Sequence, residues 1–191
     1  MSNTGTEMIP FNNIFNEWYA AQTSKKIRAV WQMKAASGKR ISSTVPYGYM
    51  KSSEDKEKWV IDEEAAEVVR KIFSLSLAGR GIAQIARQLE QEKILIPTAY
   101  KIEKGLSTTH KYPEKPYYWD PATVAGIIDN RQYTGCTVNF KTTTVSYKVH
   151  KVIHKSEDEQ QIIPNTQDAI ITEELWLRVQ ELRQHKRRPT S

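Results

Sequence analysis

The sequence predicts an α+β chain that is mainly helical: a long N-terminal helix, then a helix-turn-helix or winged-helix-like domain with a β-hairpin and a C-terminal helix. Three observations predict it. Between Pro10 and Gly38 the chain holds no Gly or Pro, which suits one long helix. Two amphipathic stretches flank Gly79-Arg80-Gly81, and a third short helix opens at Trp119-Asp120-Pro121 and closes at Tyr133-Thr134-Gly135. After Gly135 the apolar period changes from helical to alternating, the mark of strands.

Composition sets the outer limits. With 191 residues, 39% hydrophobic and 26% charged, the chain can bury one ordinary core with an appended element. Its 28 Lys and Arg against 22 Asp and Glu leave a net charge of +6, which favours a polyanionic partner and, with a three-helix unit, duplex DNA. A single cysteine, Cys136, excludes an internal disulfide framework, and four histidines leave little for a structural zinc site. No run approaches the roughly 18 apolar residues of a membrane span, and the polar start lacks the basic and apolar regions of a signal peptide. A cytoplasmic protein with no membrane contact is the expectation.

The first helix is predicted over residues 10–39, roughly 35 to 40 Å long at about 1.5 Å per residue. Ile14, Trp18 and Ala21 share a stripe that Lys25, Arg28 and Gln32 continue, so its chemistry changes halfway along. Lys25, Lys26, Arg28, Lys34, Lys39 and Arg40 meet no acid before Glu54. This half can lie along phosphates; the plainer reading is a solvated basic helix end. The apolar half, Ile14, Phe15 and Trp18, is expected to self-associate or to dock on a protein surface.

Residues 41–53 lead into the compact domain. Pro46 biases Val45 toward an extended conformation, and Tyr47 and Tyr49 flank Gly48, where the backbone can approach a neighbour closely. These rings read as wedges in the core rather than base-stacking platforms. Trp59-Val60-Ile61 reads as a short strand. A helix near 62–78 should then be capped by the side chain of Asp62, with Glu63 and Glu64 complementing its dipole and Ala65, Val69, Ile72, Phe73 and Leu77 forming its apolar face. A second helix near 82–92 buries Ile82, Ile85, Ala86 and Leu89 and leaves Gln84, Arg87, Gln88 and Gln91 outside; it reads as the first helix of a helix-turn-helix.

Residues 94–115 hold Pro97, Gly105, Pro113 and the polar run Ser107-Thr108-Thr109-His110-Lys111, a length and irregularity that suit a binding loop. The third helix, near 121–129, has Asp120 as N-cap and Pro121 in its first turn, with Val124, Ile127 and Ile128 inward. Its outer face is small, which allows close approach to a major groove but offers few base-reading groups. A hairpin is predicted from Cys136, Val138 and Phe140 to Val145, Tyr147 and Val149, turning at 142–144 and decorated by Lys141, Lys148, Lys151 and Lys155. His150 and His154 could share a strand face, but no further ligand has metal-site spacing, so no metal and no cofactor is expected. A last helix near 173–187 buries Leu175, Trp176, Val179 and Leu182 and ends in basic residues.

The order of these elements resembles a known family. Val45-Pro46-Tyr47-Gly48-Tyr49, Asp62-Glu63-Glu64 ahead of Val68-Val69-Arg70-Lys71-Ile72-Phe73, Gly79-Arg80-Gly81-Ile82, Trp119-Asp120-Pro121, Asn130-Arg131-Gln132-Tyr133-Thr134-Gly135 and Ala169-Ile170-Ile171-Thr172-Glu173-Glu174-Leu175-Trp176 are together similar to the recombinase domain of large serine recombinases. The opening from Phe11 resembles the long helix that leaves the family's catalytic domain. The resemblance implies two parts: residues 1–40 as a linker and dimerisation helix, and 41–188 as a DNA-binding domain. It also implies a bacterial phage or mobile element, and a catalytic domain as partner in the full-length protein. The family's nucleophilic serine and zinc-bearing domains have no counterpart here, so catalysis is not expected of this chain.

The residues expected to meet DNA are therefore Lys25, Lys26, Arg28, Lys34, Lys39, Arg40, Arg80, Ser107, Thr108, Thr109, Lys111, Thr123, Asn130, Arg131, Lys141 and Lys148. Two other classes stay open on sequence: a winged-helix transcription regulator, and an interaction protein that associates through its first helix. A nuclease would need clustered carboxylates or an activated serine, whereas the acids here are explained as caps and turns.

Overall fold

The computed structural model describes the backbone of residues 4–106, 108–146, 148–149 and 151–186, with side chains from 12 to 184 among them. The chain divides into two compact units, Met1–Ser43 with Thr137–Ile163, and Thr44–Cys136 with Pro164–Ser191.

The first unit carries helix α1 (Thr4–Ala36). That helix begins ahead of Pro10, where the sequence placed its start, and stops short of Lys39 because Gly38 takes a left-handed φ of +73°. The Lys39 N–H then returns to the Lys34 carbonyl and the Gly38 N–H to that of Ala35, the paired bonds that satisfy a helix C-terminus. Later in the chain come four strands, β3 (Thr137–Asn139), β4 (Thr142–Thr144), β5 (Val152–His154) and β6 (Gln161–Ile163). Both pairings are antiparallel, β3 with β6 and β4 with β5.

This differs from the hairpin read in the sequence. The predicted turn 142–144 is a strand, paired as Thr142 to His154 and Thr144 to Val152. Phe140 adopts a φ of +58°, which interrupts the strand that the alternation had continued, and three successive β-branched threonines then restart it. Tyr147 and His150 lie outside the described residues. Within this unit Asn139 fastens the end of α1: its Nδ2 donates to the Lys39 carbonyl (2.9 Å) and its Oδ1 accepts from the Ile41 N–H (3.0 Å). Gln161 adds a bond from Nε2 to the Ala35 carbonyl (3.0 Å).

The second unit holds the hydrophobic core. Strands β1 (Tyr49–Lys51) and β2 (Trp59–Ile61) pair antiparallel, as the apolar triplet at Trp59 predicted for β2. Helices α2 (Glu63–Leu77), α3 (Ile82–Gln91), α5 (Pro121–Ile128) and α6 (Glu173–Lys186) lie within a residue or so of their predicted bounds. Val69, Ile72, Phe73, Ile85, Leu89, Val124, Ile128 and Val179 are fully buried where these helices meet, with α3 against α5 and α2 against α6. Tyr49 stacks on Tyr133 (6.1 Å, 11° between planes) and Tyr133 meets Phe73 edge-on, so both tyrosine-bearing motifs serve the core.

Two expectations change here. Residues 94–115 are not loop throughout, since α4 (Pro97–Glu103) forms inside them and buries Ala99 and Tyr100. Pro97, counted among the irregular residues of that stretch, sits in the first turn, where its missing N–H costs nothing. Asp62 does not cap α2 with its side chain. Its buried carboxylate instead accepts the Tyr100 hydroxyl at 2.9 Å to each oxygen, a pairing α4 makes possible. Asp120 does cap α5, accepting from the Ala122 N–H (2.7 Å).

The chain enters and leaves the 137–163 segment through one clasp of the second unit. A short 3₁₀ turn, Arg131–Thr134, ends at Gly135 with φ +86°. The Gly135 carbonyl accepts from the N–H of Thr166 (2.9 Å), while Gln167 Nε2 reaches the carbonyls of Gln132 (3.0 Å) and Cys136 (2.8 Å). A Cβ at Gly135 would lie 2.8 Å from the Gln167 carbonyl oxygen. Gly135→Ala is accordingly expected to destabilise by about 2–4 kcal/mol through left-handed strain and overpacking. Gly126→Ala, in open space on α5, should stabilise by about 0.5–1 kcal/mol. Urea midpoints that fail to move in opposite directions would contradict this account.

Candidate nucleic-acid interface

On the first unit, Lys25, Lys26 and Arg28 are exposed within two turns of α1, and no carboxylate occurs between Thr23 and Ser53. Arg28 also borders a groove shared with Trp31, Thr142, Thr144, Val152 and Lys155. The other expected cations are more constrained. Arg40 is half-buried and donates to Thr137 Oγ1 (3.0 Å), Lys34 is half-buried, and the carbonyl of Lys39 is held by Asn139. Lys148 forms an ion pair with Glu17 at 2.7 Å, and the N–H of Lys155 closes the β4–β5 ladder on the carbonyl of Lys141 (2.9 Å).

Ile14, Phe15 and Trp18 are 68%, 55% and 56% exposed, an apolar stretch at the start of the helix whose second half is basic. Phe15 and Trp18 lie against each other, ring centres 5.9 Å apart.

On the second unit, Arg80 is exposed in the turn between α2 and α3. Thr123 is exposed on α5, whose outer face otherwise shows Ala122, Gly126 and Asp129. Thr109 and Lys111 are exposed, the Thr108 hydroxyl accepts from the His110 N–H (3.2 Å), and Ser107 lies outside the described residues. Asn130 and Arg131 prove to be fastened into the fold. Asn130 Oδ1 accepts from the Gln132 N–H (3.3 Å), opening the 3₁₀ turn. Arg131 meets Glu173 at 2.5 Å and lies over the Trp176 ring, 5.4 Å from its centre, tying that turn to α6. Arg131, expected from sequence to meet DNA, thus has two partners within the fold.

One polar surface was represented in that expected set by Arg80 alone. Arg80, Gln84, Arg87, Gln88, Gln91 and Glu92 line an open hollow of about 450 Å³ along α3. Glu92 is bound by Lys71 and by Gln88 (3.1 Å), and the Lys71 ammonium holds its carboxyl below the usual range. The signal was in the sequence, as the residues left over once the buried face of α3 was assigned.

Among the described residues no group of three or more His, Cys, Asp or Glu side chains could hold a metal ion, and no helix is long and apolar enough to cross a membrane. The exposed side chains named above offer cations, amides and hydroxyls.

Residues 63–186, which span α2 to α6, match the family model described as Recombinase. The chain belongs to the large serine recombinase family. No curated protein matches it. Among solved structures, it is similar to the crystal structure of an LSR–DNA complex, with a TM-score of 0.50 and 15% identity over 84% of this chain and 38% of that one. A structure concerning the sequence requirements of the Listeria innocua prophage attP site aligns with a TM-score of 0.45 and 16% identity, over 83% of this chain and 51% of that one. The chain thus spans about two fifths and one half of the lengths of these proteins. The recombinase match covers both helices of the Gly79-Arg80-Gly81 turn and the clasp at Gly135.

Proposed function

We propose that this chain is the sequence-specific DNA-binding part of a serine site-specific recombinase from a phage or other mobile element, and that it recognises part of a recombination half-site. The observation that carries the reading is the Recombinase match across α2 to α6, preceded in the chain by an acid-free run with Lys25, Lys26 and Arg28 exposed on α1. Cations on α1 supply affinity for phosphates, and polar groups of the second unit supply discrimination between sequences. Strand cleavage and rejoining belong to a serine-bearing catalytic domain that acts with it. The apolar start of α1, Ile14, Phe15 and Trp18, serves association with a second copy or with that domain.

A binding titration at two salt concentrations tests this, using random duplex and half-sites taken from the junctions of the element that carries the gene. The expected result is a preference for one junction half-site, with a defined footprint and more than one copy per full site. Equal affinity for random duplex would reject half-site recognition. A short palindrome bound by an independent dimer would favour a transcription regulator, and the lack of any binding would favour an interaction protein.

A further inference from the structure

We propose that Asn139 and Gln161 are positioning residues for DNA binding: they fix residues 39–41, the stretch that carries Lys39 and Arg40 out of α1, in one conformation before DNA arrives. This rests on the DNA-binding reading above. Neither side chain is charged, and neither has to touch DNA.

The bonds form one connected set. Asn139 and Gln161 stand opposite each other in the β3–β6 register, which brings their amides together on one face of the pair. Gln161 Nε2 donates to the Ala35 carbonyl (3.0 Å) in the last turn of α1, and Gln161 Oε1 accepts from Asn139 Nδ2 (3.1 Å). The same Nδ2 donates to the Lys39 carbonyl (2.9 Å), while Asn139 Oδ1 accepts from the Ile41 N–H (3.0 Å). A side-chain amide can donate and accept at once, so Asn139 holds the backbone on both sides of Arg40. Arg40 adds a further tie through Thr137 Oγ1 (3.0 Å).

The chemistry goes beyond packing. Asn139 is 3% exposed and Thr137 1%, so two of the three buried positions of β3 hold polar side chains. An apolar residue would bury there more cheaply, since a polar group taken from water must recover its hydrogen bonds. What these residues secure is a stretch with no apolar anchor of its own before Ile41, whose Lys39 is exposed and which Ser42 and Ser43 continue into solvent. Left unheld, such a stretch fluctuates in the free protein, and ordering it on DNA weakens binding. Held by Asn139 and Gln161, it is ordered in advance.

Anisotropy titrations of the whole chain across a salt series test this, with random duplex and a junction half-site, alongside amide exchange at Ile41 followed by NMR. Asn139→Ala should weaken both duplexes by about tenfold, roughly the cost of ordering one residue. It should leave the salt slope at its wild-type value, because the same phosphates are still neutralised, whereas Lys39→Ala should lower that slope by about 0.9. On the Lys39→Ala background, Asn139→Ala should cost only about threefold, since much of its effect runs through the residue already removed. The Ile41 N–H should exchange about tenfold faster in Asn139→Ala than in wild type. Gln161→Met keeps the volume and removes the amide, and its smaller loss of affinity at constant slope gives a second reading should Asn139→Ala fail to fold. Wild-type affinity in these variants would overturn the proposal and leave the DNA-binding reading standing. A tenfold loss that is undiminished on the Lys39→Ala background would mean general damage to the unit and would overturn it too. If the wild-type chain binds no DNA, the DNA-binding reading fails and this proposal with it.

Discussion

Above about pH 10 the second unit is expected to lose stability steeply, because three of the four tyrosines in its core have phenols whose ionisation burial opposes. Tyr47, Tyr100 and Tyr133 are 6%, 5% and 1% exposed, and burial raises the pKa of each far above that of a free tyrosine. Asp62 and Glu64 add to the effect at Tyr47, the hydrogen bond to Asp62 adds at Tyr100, and Tyr49 adds at Tyr133. Below about pH 10 all three are protonated whether the unit is folded or not, and stability is unaffected. Above it the unfolded chain releases protons that the folded one keeps, so the unfolded state binds fewer and stability falls as pH rises. Each phenol contributes about 1.4 kcal/mol per pH unit, so the three together give a slope near 4 kcal/mol per unit. Tyr112 is also pushed up, to about 12 by its bond to Glu103, but it lies in water and adds little. Urea midpoints between about pH 9 and 11 measure the slope, and Tyr133→Phe should remove a third of it. A midpoint that stays level through this range would refute the burial of these groups.

The second large effect concerns salt. Changing Lys25, Lys26 and Arg28 together to Ala should lower the slope of log affinity against log salt by up to about 2.7, at about 0.9 for each B-DNA phosphate left without its cation. Specific and random duplexes should weaken in parallel, because cations on phosphates carry no sequence information. Lys148→Ala is the informative control: its charge is paired with Glu17, so its removal should change the slope far less. Anisotropy titrations across a salt series separate these outcomes. A triple variant with the wild-type slope would mean that α1 does not follow the backbone.

The helices of the second unit were legible because each announces itself locally. Gly79 ends α2, Asp120 and Pro121 open α5, and apolar residues recur at helical spacing along all of them. What escaped were features decided by partners distant in sequence. Asp62 has every local property of a cap, and only the arrival of Tyr100 from α4 turns it inward. Alternation from Cys136 onward implied strands correctly, but pairing β3 with β6 depends on residues 22 to 26 places away, and the positive φ of Phe140 leaves no mark in the pattern. Sequence shows which candidate interface residues carry charge, whereas their exposure and partners depend on residues far away in the chain. Counting cations cannot reveal that Arg131 meets Glu173 and Trp176, or that exposed amides line one side of α3 while the outer side of α5 carries mostly small residues.

The clasp at Gly135 and Gln167 lets the second unit close on itself whatever length of chain runs between its two jaws, since residues 135–136 are bonded directly to residues 166–167. Residues added between β5 and β6 are therefore expected to leave the urea midpoint of the second unit where it was, provided the glycine at the departure and the side-chain amide at the return are kept.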